Sequence, residues 1–164
     1  MRLWHPELLH YLPNKQLISQ WRELNSIYKK QNKHILINFI YKYDKEELFC
    51  YSNLLLKEIF NRGIKIKDIT KYKKYFNTEY YTLDILKSLT KKYLEVSSKV
   101  LFKEDINEIY LVICCWNLFE KYIRGQKGFS NECINKITYI IESNQYTQKQ
   151  LLEYIERLKN LNLL

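Results

Sequence analysis

Three glycines and two prolines are all that this 164-residue chain contains, and that scarcity limits what it can fold into. Tight reversals between strands draw on both residues, because glycine supplies positive φ and proline a fixed φ. A chain so poor in them favours long helices joined by few loops. Hydrophobic residues make up 46%, too many for a disordered chain. The length suits one domain, or one domain with a helical extension.

Apolar residues recur at three- and four-residue intervals. Leu17, Trp21, Leu24 and Tyr28 predict a first helix from about Pro13 to Lys30, followed by a shorter stretch from His34 to Tyr41. Asp44 and Glu47 read as a capping pair before Leu48, Tyr51, Leu55 and Ile59, with Gly63 as the stop. Thr82 is placed to cap a helix through Leu83, Leu86, Leu89 and Tyr93. Asp105 and Glu108 read as a second capping pair, before Ile109, Val112, Trp116, Phe119 and Ile123, ended by Arg124 and Gly125. Ser130 opens a helix through Ile134, Ile137 and Ile141, and Thr147 with Gln150 a last one through Leu151, Ile155 and Leu158. Residues 64 to 79 are basic and aromatic without clear periodicity, and no strand pattern of useful length emerges. The expected fold is all-α, a compact helical domain of about six or seven helices, with one boundary near Val100 to Asp105. Trp116, Phe119 and Tyr122 lie at helical spacing and read as core.

No apolar run approaches the roughly 18 residues of a membrane span; Ile109 to Phe119 is too short and ends in Glu120 and Lys121. The opening has no signal-peptide apolar region, so the expectation is a soluble, cytoplasmic protein. The four cysteines, Cys50, Cys114, Cys115 and Cys133, form no CxxC pair, and only three His are present; no metal site is expected. Cys114 and Cys115 sit in an apolar stretch and read as buried free thiols in a reducing compartment. The formal net charge of +9 argues for a polyanionic partner, without separating DNA from RNA or an anionic membrane surface.

The first 24 residues, MRLWHPELLHYLPNKQLISQWREL, say more. With Lys33-His34, the helix ending Asn61-Arg62-Gly63, and Ile64-Lys65-Ile66-Lys67-Asp68-Ile69-Thr70, they resemble the pyrimidine dimer DNA glycosylase family, the endonuclease V type. The likeness is nearest to a bacterial branch that shares the MRLWH opening. It covers about residues 1 to 70 and fades by Val100. It implies a glycosylase-like helical domain over residues 1–100, with 101–164 as a C-terminal helical extension packed on it.

The resemblance implies a DNA repair glycosylase with coupled abasic-site (AP) lyase activity, acting through an N-terminal amine. An α-amine has a pKa near 7.7–8.0, so a useful fraction is uncharged at neutral pH and can attack C1′ of a deoxyribose to form an imine. Residue 2 is Arg, too bulky for the usual removal of the initiator Met, so the expected nucleophile is the amine of Met1 itself. Arg2 then matches the basic residue that follows the nucleophile. Glu23 matches the catalytic carboxylate of the family's R-E helix. Outside that motif a helix Glu is by default a surface residue, here paired with Lys30 or Arg22. Arg22 is expected to hold a phosphate, or else to be a solvated helix-face cation. The family's next Arg, one turn on, is absent; Ser26 stands near its place, with Lys29 and Lys30 beyond. His34 matches a family His near the reaction centre, and is otherwise a structural histidine. No specific role follows for His5 or His10.

Lys71-Tyr72-Lys73-Lys74-Tyr75-Phe76 interleaves cations suited to phosphates with rings that either stack on bases or pack against the core, the second being favoured. DNA-binding residues are therefore expected at Arg2, Arg22, Lys30, His34, Lys71, Lys73 and Lys74. The implied partner is duplex DNA carrying a damaged base or an abasic site, bound by a monomer without metal or organic cofactor. The lesion itself stays open, and the competing reading is a non-catalytic helical nucleic-acid-binding module on the same scaffold.

Overall fold

The computed structural model describes residues 2–31, 37–77 and 101–144. Among these, five α-helices occur: α1 (Asn14–Lys29), α2 (Lys45–Asn61), α3 (Thr70–Phe76), α4 (Glu108–Ile123) and α5 (Asn131–Ser143). Two 3-10 turns, Pro6–Leu8 and Asn38–Lys42, complete the order, and the described residues contain no strand. The described residues are all-α, as expected. The helices expected after Thr82 and after Thr147 lie outside the described residues, as do residues 34–36 of the stretch from His34, whose described remainder runs into the Asn38–Lys42 3-10 turn.

α1 follows the predicted stripe, but its buried face holds Gln16 and Gln20 beside Leu17, Trp21, Leu24, Ile27 and Tyr28. It packs on α2 and α3, while α4 packs on α5. One core joins Leu3, Trp4 and Leu8 of the N-terminal segment to Leu24, Tyr51, Leu55, Tyr110, Val112 and Leu118. All four cysteines are buried free thiols. No helix among the described residues is long and apolar enough to cross a membrane.

Both predicted acidic capping pairs dissolve. Asp44 stands at the N-cap of α2 but makes no side-chain cap bond; Glu47 instead accepts the Phe102 backbone N–H at 2.5 Å. Phe102 has φ of 54°, and its turn leaves that donor without a helical or sheet partner. α4 begins at Glu108 because the Asn107 side chain caps it, accepting from Tyr110 N–H at 3.1 Å. Asp105 is drawn off to the Tyr43 hydroxyl at 2.8 Å. Ser130 caps α5 as expected, accepting from Cys133 N–H. Gly63, at φ +67°, ends α2 in the left-handed conformation that suits glycine.

The stretch read as aperiodic contains α3. The Asp68 side chain accepts the Thr70 N–H at 2.8 Å and turns the chain into it. Tyr72 is fully buried, and its hydroxyl donates to Asn53 Oδ1 at 2.9 Å. Its ring meets Trp21, Tyr28 and Phe49, while Tyr75 and Phe76 close on Tyr28. These rings therefore pack against the core. Trp116 and Tyr122 do not: they are 46% and 45% exposed. The buried residues of α4 are Tyr110, Leu111, Val112, Cys114, Cys115 and Leu118. Trp116 falls off the Cys114, Cys115 and Leu118 stripe, and Tyr122 lies beyond its end.

Candidate active site at the N-terminal segment and Glu23

Residues 2 to 5 run without helix or strand, so their buried backbone groups need partners from elsewhere. Side chains from three helices supply them. Gln20 of α1 accepts the Trp4 N–H through Oε1 at 2.9 Å. Tyr51 of α2 donates its hydroxyl to the Trp4 carbonyl at 2.8 Å, with Gln20 Oε1 3.2 Å away. Tyr110 of α4 donates to the Leu3 carbonyl at 2.6 Å. Leu3 is 0% exposed and Trp4 5%, so these bonds are shielded from water and fix the path of the segment.

Gln20, itself 0% exposed, turns its amide nitrogen to Glu23, donating to Oε2 at 3.2 Å. Three residues apart on a helix, the two share a face. Glu23 is half-buried. Burial pushes its carboxyl above the ordinary value, against the pull of the N-terminal amine's charge, a hydrogen bond from the Arg2 backbone, and the charges of Arg2 and Lys121. A carboxyl held up by desolvation amid cations is the kind of group that active sites use for proton transfer.

Arg2 brings its guanidinium charge to bear on Tyr110 and Cys114 as well as Glu23. Its Nη1 is buried without a hydrogen-bond partner, which costs free energy until an acceptor arrives. His5 is 6% exposed and accepts the Glu7 N–H through Nδ1 at 3.3 Å; burial lowers its pKa to about 4, so it is neutral at physiological pH. Among the described residues, no group of three or more His, Cys, Asp and Glu side chains converges to hold a metal.

Of the residues singled out from sequence, Arg2 and Glu23 come together. Arg22 and Lys71 line a separate groove with Lys65 and Lys67. Lys30 is the exposed C-cap of α1. Lys74 is exposed and Lys73 half-buried on α3, and neither lines that groove. Met1 and His34 lie outside the described residues. Tyr51, Tyr110 and Lys121 went unrecognised in the sequence, because core tyrosines and a lysine at a helix end carry no local signal, and Gln20, part of the Gln20-Trp21-Arg22-Glu23 run, was given no role.

Residues 1–72 match the family model described as pyrimidine dimer DNA glycosylase. No curated protein and no solved structure matches the chain. The matched stretch contains Arg2, Gln20, Glu23 and Tyr51, while Tyr110 and Lys121 come from beyond it, so over its first 72 residues the chain is similar to the pyrimidine dimer DNA glycosylase family.

Proposed function

We propose that the chain is a pyrimidine dimer DNA glycosylase with coupled AP lyase activity, with the Met1 amine as nucleophile and Glu23 as the acid–base group. The observation that carries this reading is the buried Gln20 amide, which joins the N-terminal segment at Trp4 to the Glu23 carboxyl within the scaffold built by Tyr51 and Tyr110. The Met1 amine is three bonds from the Arg2 nitrogen, so covalent reach keeps it within about 4 Å of that atom.

The chemistry suits those groups. The uncharged amine forms a bond to C1′ of the damaged nucleotide as the glycosidic C1′–N bond breaks, its electron pair leaving with the base, which takes up a proton. The sugar ring then opens, O4′ accepts a proton, and an imine remains at C1′. Loss of a C2′ proton expels the 3′ phosphate by β-elimination and nicks the strand. Glu23 is placed to give and take these protons. Its anionic form steadies the positive charge that builds on the sugar.

The half-buried Arg2 guanidinium is assigned to a DNA phosphate beside the lesion. Lys121, whose charge is felt at Glu23, adds to the attraction. Arg22, Lys30, His34, Lys71, Lys73 and Lys74 are assigned to DNA contacts, within a bound duplex that exposes the damaged nucleotide by kinking or flipping.

Reductive trapping tests the assignment. Incubation with an abasic-site duplex and borohydride is expected to give a covalent protein–DNA adduct, and a short extension ahead of Met1 is expected to abolish it. A wild-type chain that binds the duplex and yields no adduct overturns the enzyme and leaves a non-catalytic DNA-binding module.

A further inference from the structure

Beside α1 runs a groove of about 540 Å³ that the site around Glu23 does not use. Arg22, Lys65, Lys67 and Lys71 line it, against one carboxylate, Asp68. All four cations are exposed, and among the described residues none is held in a salt bridge. Asp68 is committed to its turn, accepting the Thr70 N–H.

The local sequence explains the arrangement. After the left-handed Gly63, residues 64 to 67 alternate: Ile64 and Ile66 pack against the core, Lys65 and Lys67 are exposed. Alternation of that kind is the signature of extended chain. At about 3.3 Å per residue it sets the two lysines about 6.6 Å apart, close to the spacing of neighbouring phosphates along one strand. Arg22 faces them from α1. Successive helical residues are about 100° apart, so Arg22 turns to the groove while Glu23, the next residue, turns to the N-terminal segment.

We infer that this groove is a phosphodiester track, a second contact that holds the backbone of duplex DNA on the flank of α1 away from Glu23. The inference rests on the reading of the chain as a DNA-binding enzyme and extends it: the track supplies affinity that depends on neither lesion nor base sequence. Asp68 acts against it, weakening the hold on undamaged DNA.

The test is binding of an undamaged duplex, measured by anisotropy across a range of salt. Neutralising phosphates releases counterions, so the slope of log K against log salt falls in magnitude by about 0.9 for each phosphate that is no longer neutralised. The triple variant K65Q/K67Q/K71Q is expected to lower it by about 2–3, with its helical circular dichroism unchanged. A matched variant, K42Q/K103Q/K136Q, removes the same charge away from the groove and is expected to leave the slope near that of the wild type. Equal reductions in both variants make the effect one of net charge and overturn the track. Asp68→Asn keeps an acceptor for Thr70 and removes the charge, so binding is expected to tighten; unchanged or weaker binding contradicts the role given to Asp68. The two readings fail separately. A slope reduced in the first variant of a chain that yields no borohydride adduct keeps the track and removes the enzyme, and an adduct with an unaltered slope does the reverse.

Discussion

Replacing Gln20 with leucine tests the proposed site at its hub. The side chain is 0% exposed and its amide serves three groups: the Trp4 N–H, the Tyr51 hydroxyl and the Glu23 carboxyl. Leucine fills similar space and offers none of these bonds. The Tyr51 hydroxyl keeps the Trp4 carbonyl as its acceptor, so it loses little. The Trp4 N–H is left buried and unpaired, at about 1–3 kcal/mol. Glu23 loses a donor, worth at most about 1 kcal/mol because the carboxyl is half in water. The expected loss is thus about 1–4 kcal/mol, read by urea denaturation; for a chain of this size it lowers Tm by about 2–16 °C. Because the same amide ties the N-terminal segment to Glu23, the single-turnover rate of borohydride-trapped adduct should also fall at least about tenfold, a change of about 1.4 kcal/mol in barrier. Binding of undamaged duplex should keep its salt slope. A stability change under about 0.5 kcal/mol, the scale of an indifferent surface substitution, or an unaltered trapping rate in a destabilised variant, would refute the reasoning.

Three other outcomes are expected. Glu23→Gln should keep DNA binding and lose most base excision. Its folded carboxyl pKa is raised, so the native state binds more protons than the unfolded chain as pH climbs through the carboxylate range, and wild-type stability falls over that rise; the Gln variant should show no such fall, and turnover equal to wild type would remove Glu23 from the chemistry. His5 behaves oppositely: with its pKa lowered to about 4 from an unfolded value near 6.5, stability should drop as pH falls between those values, by about 3 kcal/mol in all, and His5→Asn should flatten that drop in denaturation curves taken across the window. Tyr110→Phe leaves the buried Leu3 carbonyl without its donor and should cost about 1–3 kcal/mol and slow adduct formation; full wild-type trapping would mean that α4 does not position the N-terminal segment.

The sequence by itself determined the helical class, the stretch and stop of α1 and α2, the Ser130 cap of α5, and the motif that singles out Glu23. Those follow from patterns inside a window of a few turns, where periodicity and cap chemistry act between near neighbours. Tertiary structure decided the rest. Asp44 and Asp105 had the right spacing for capping boxes, yet their partners Glu47 and Glu108 were not used for that purpose: an unpaired Phe102 N–H claimed one and Asn107 capped the other helix first. Trp116 sits at a helical interval from Val112 yet is 46% exposed, because packing against the rest of the fold buries the Cys114, Cys115 and Leu118 face instead. Tyr51 and Tyr110 reach the N-terminal segment across 47 and 107 residues of chain, bonds that no local pattern records. They exist because a backbone run without secondary structure, once buried, must find its hydrogen bonds wherever the fold has brought a donor or acceptor within reach.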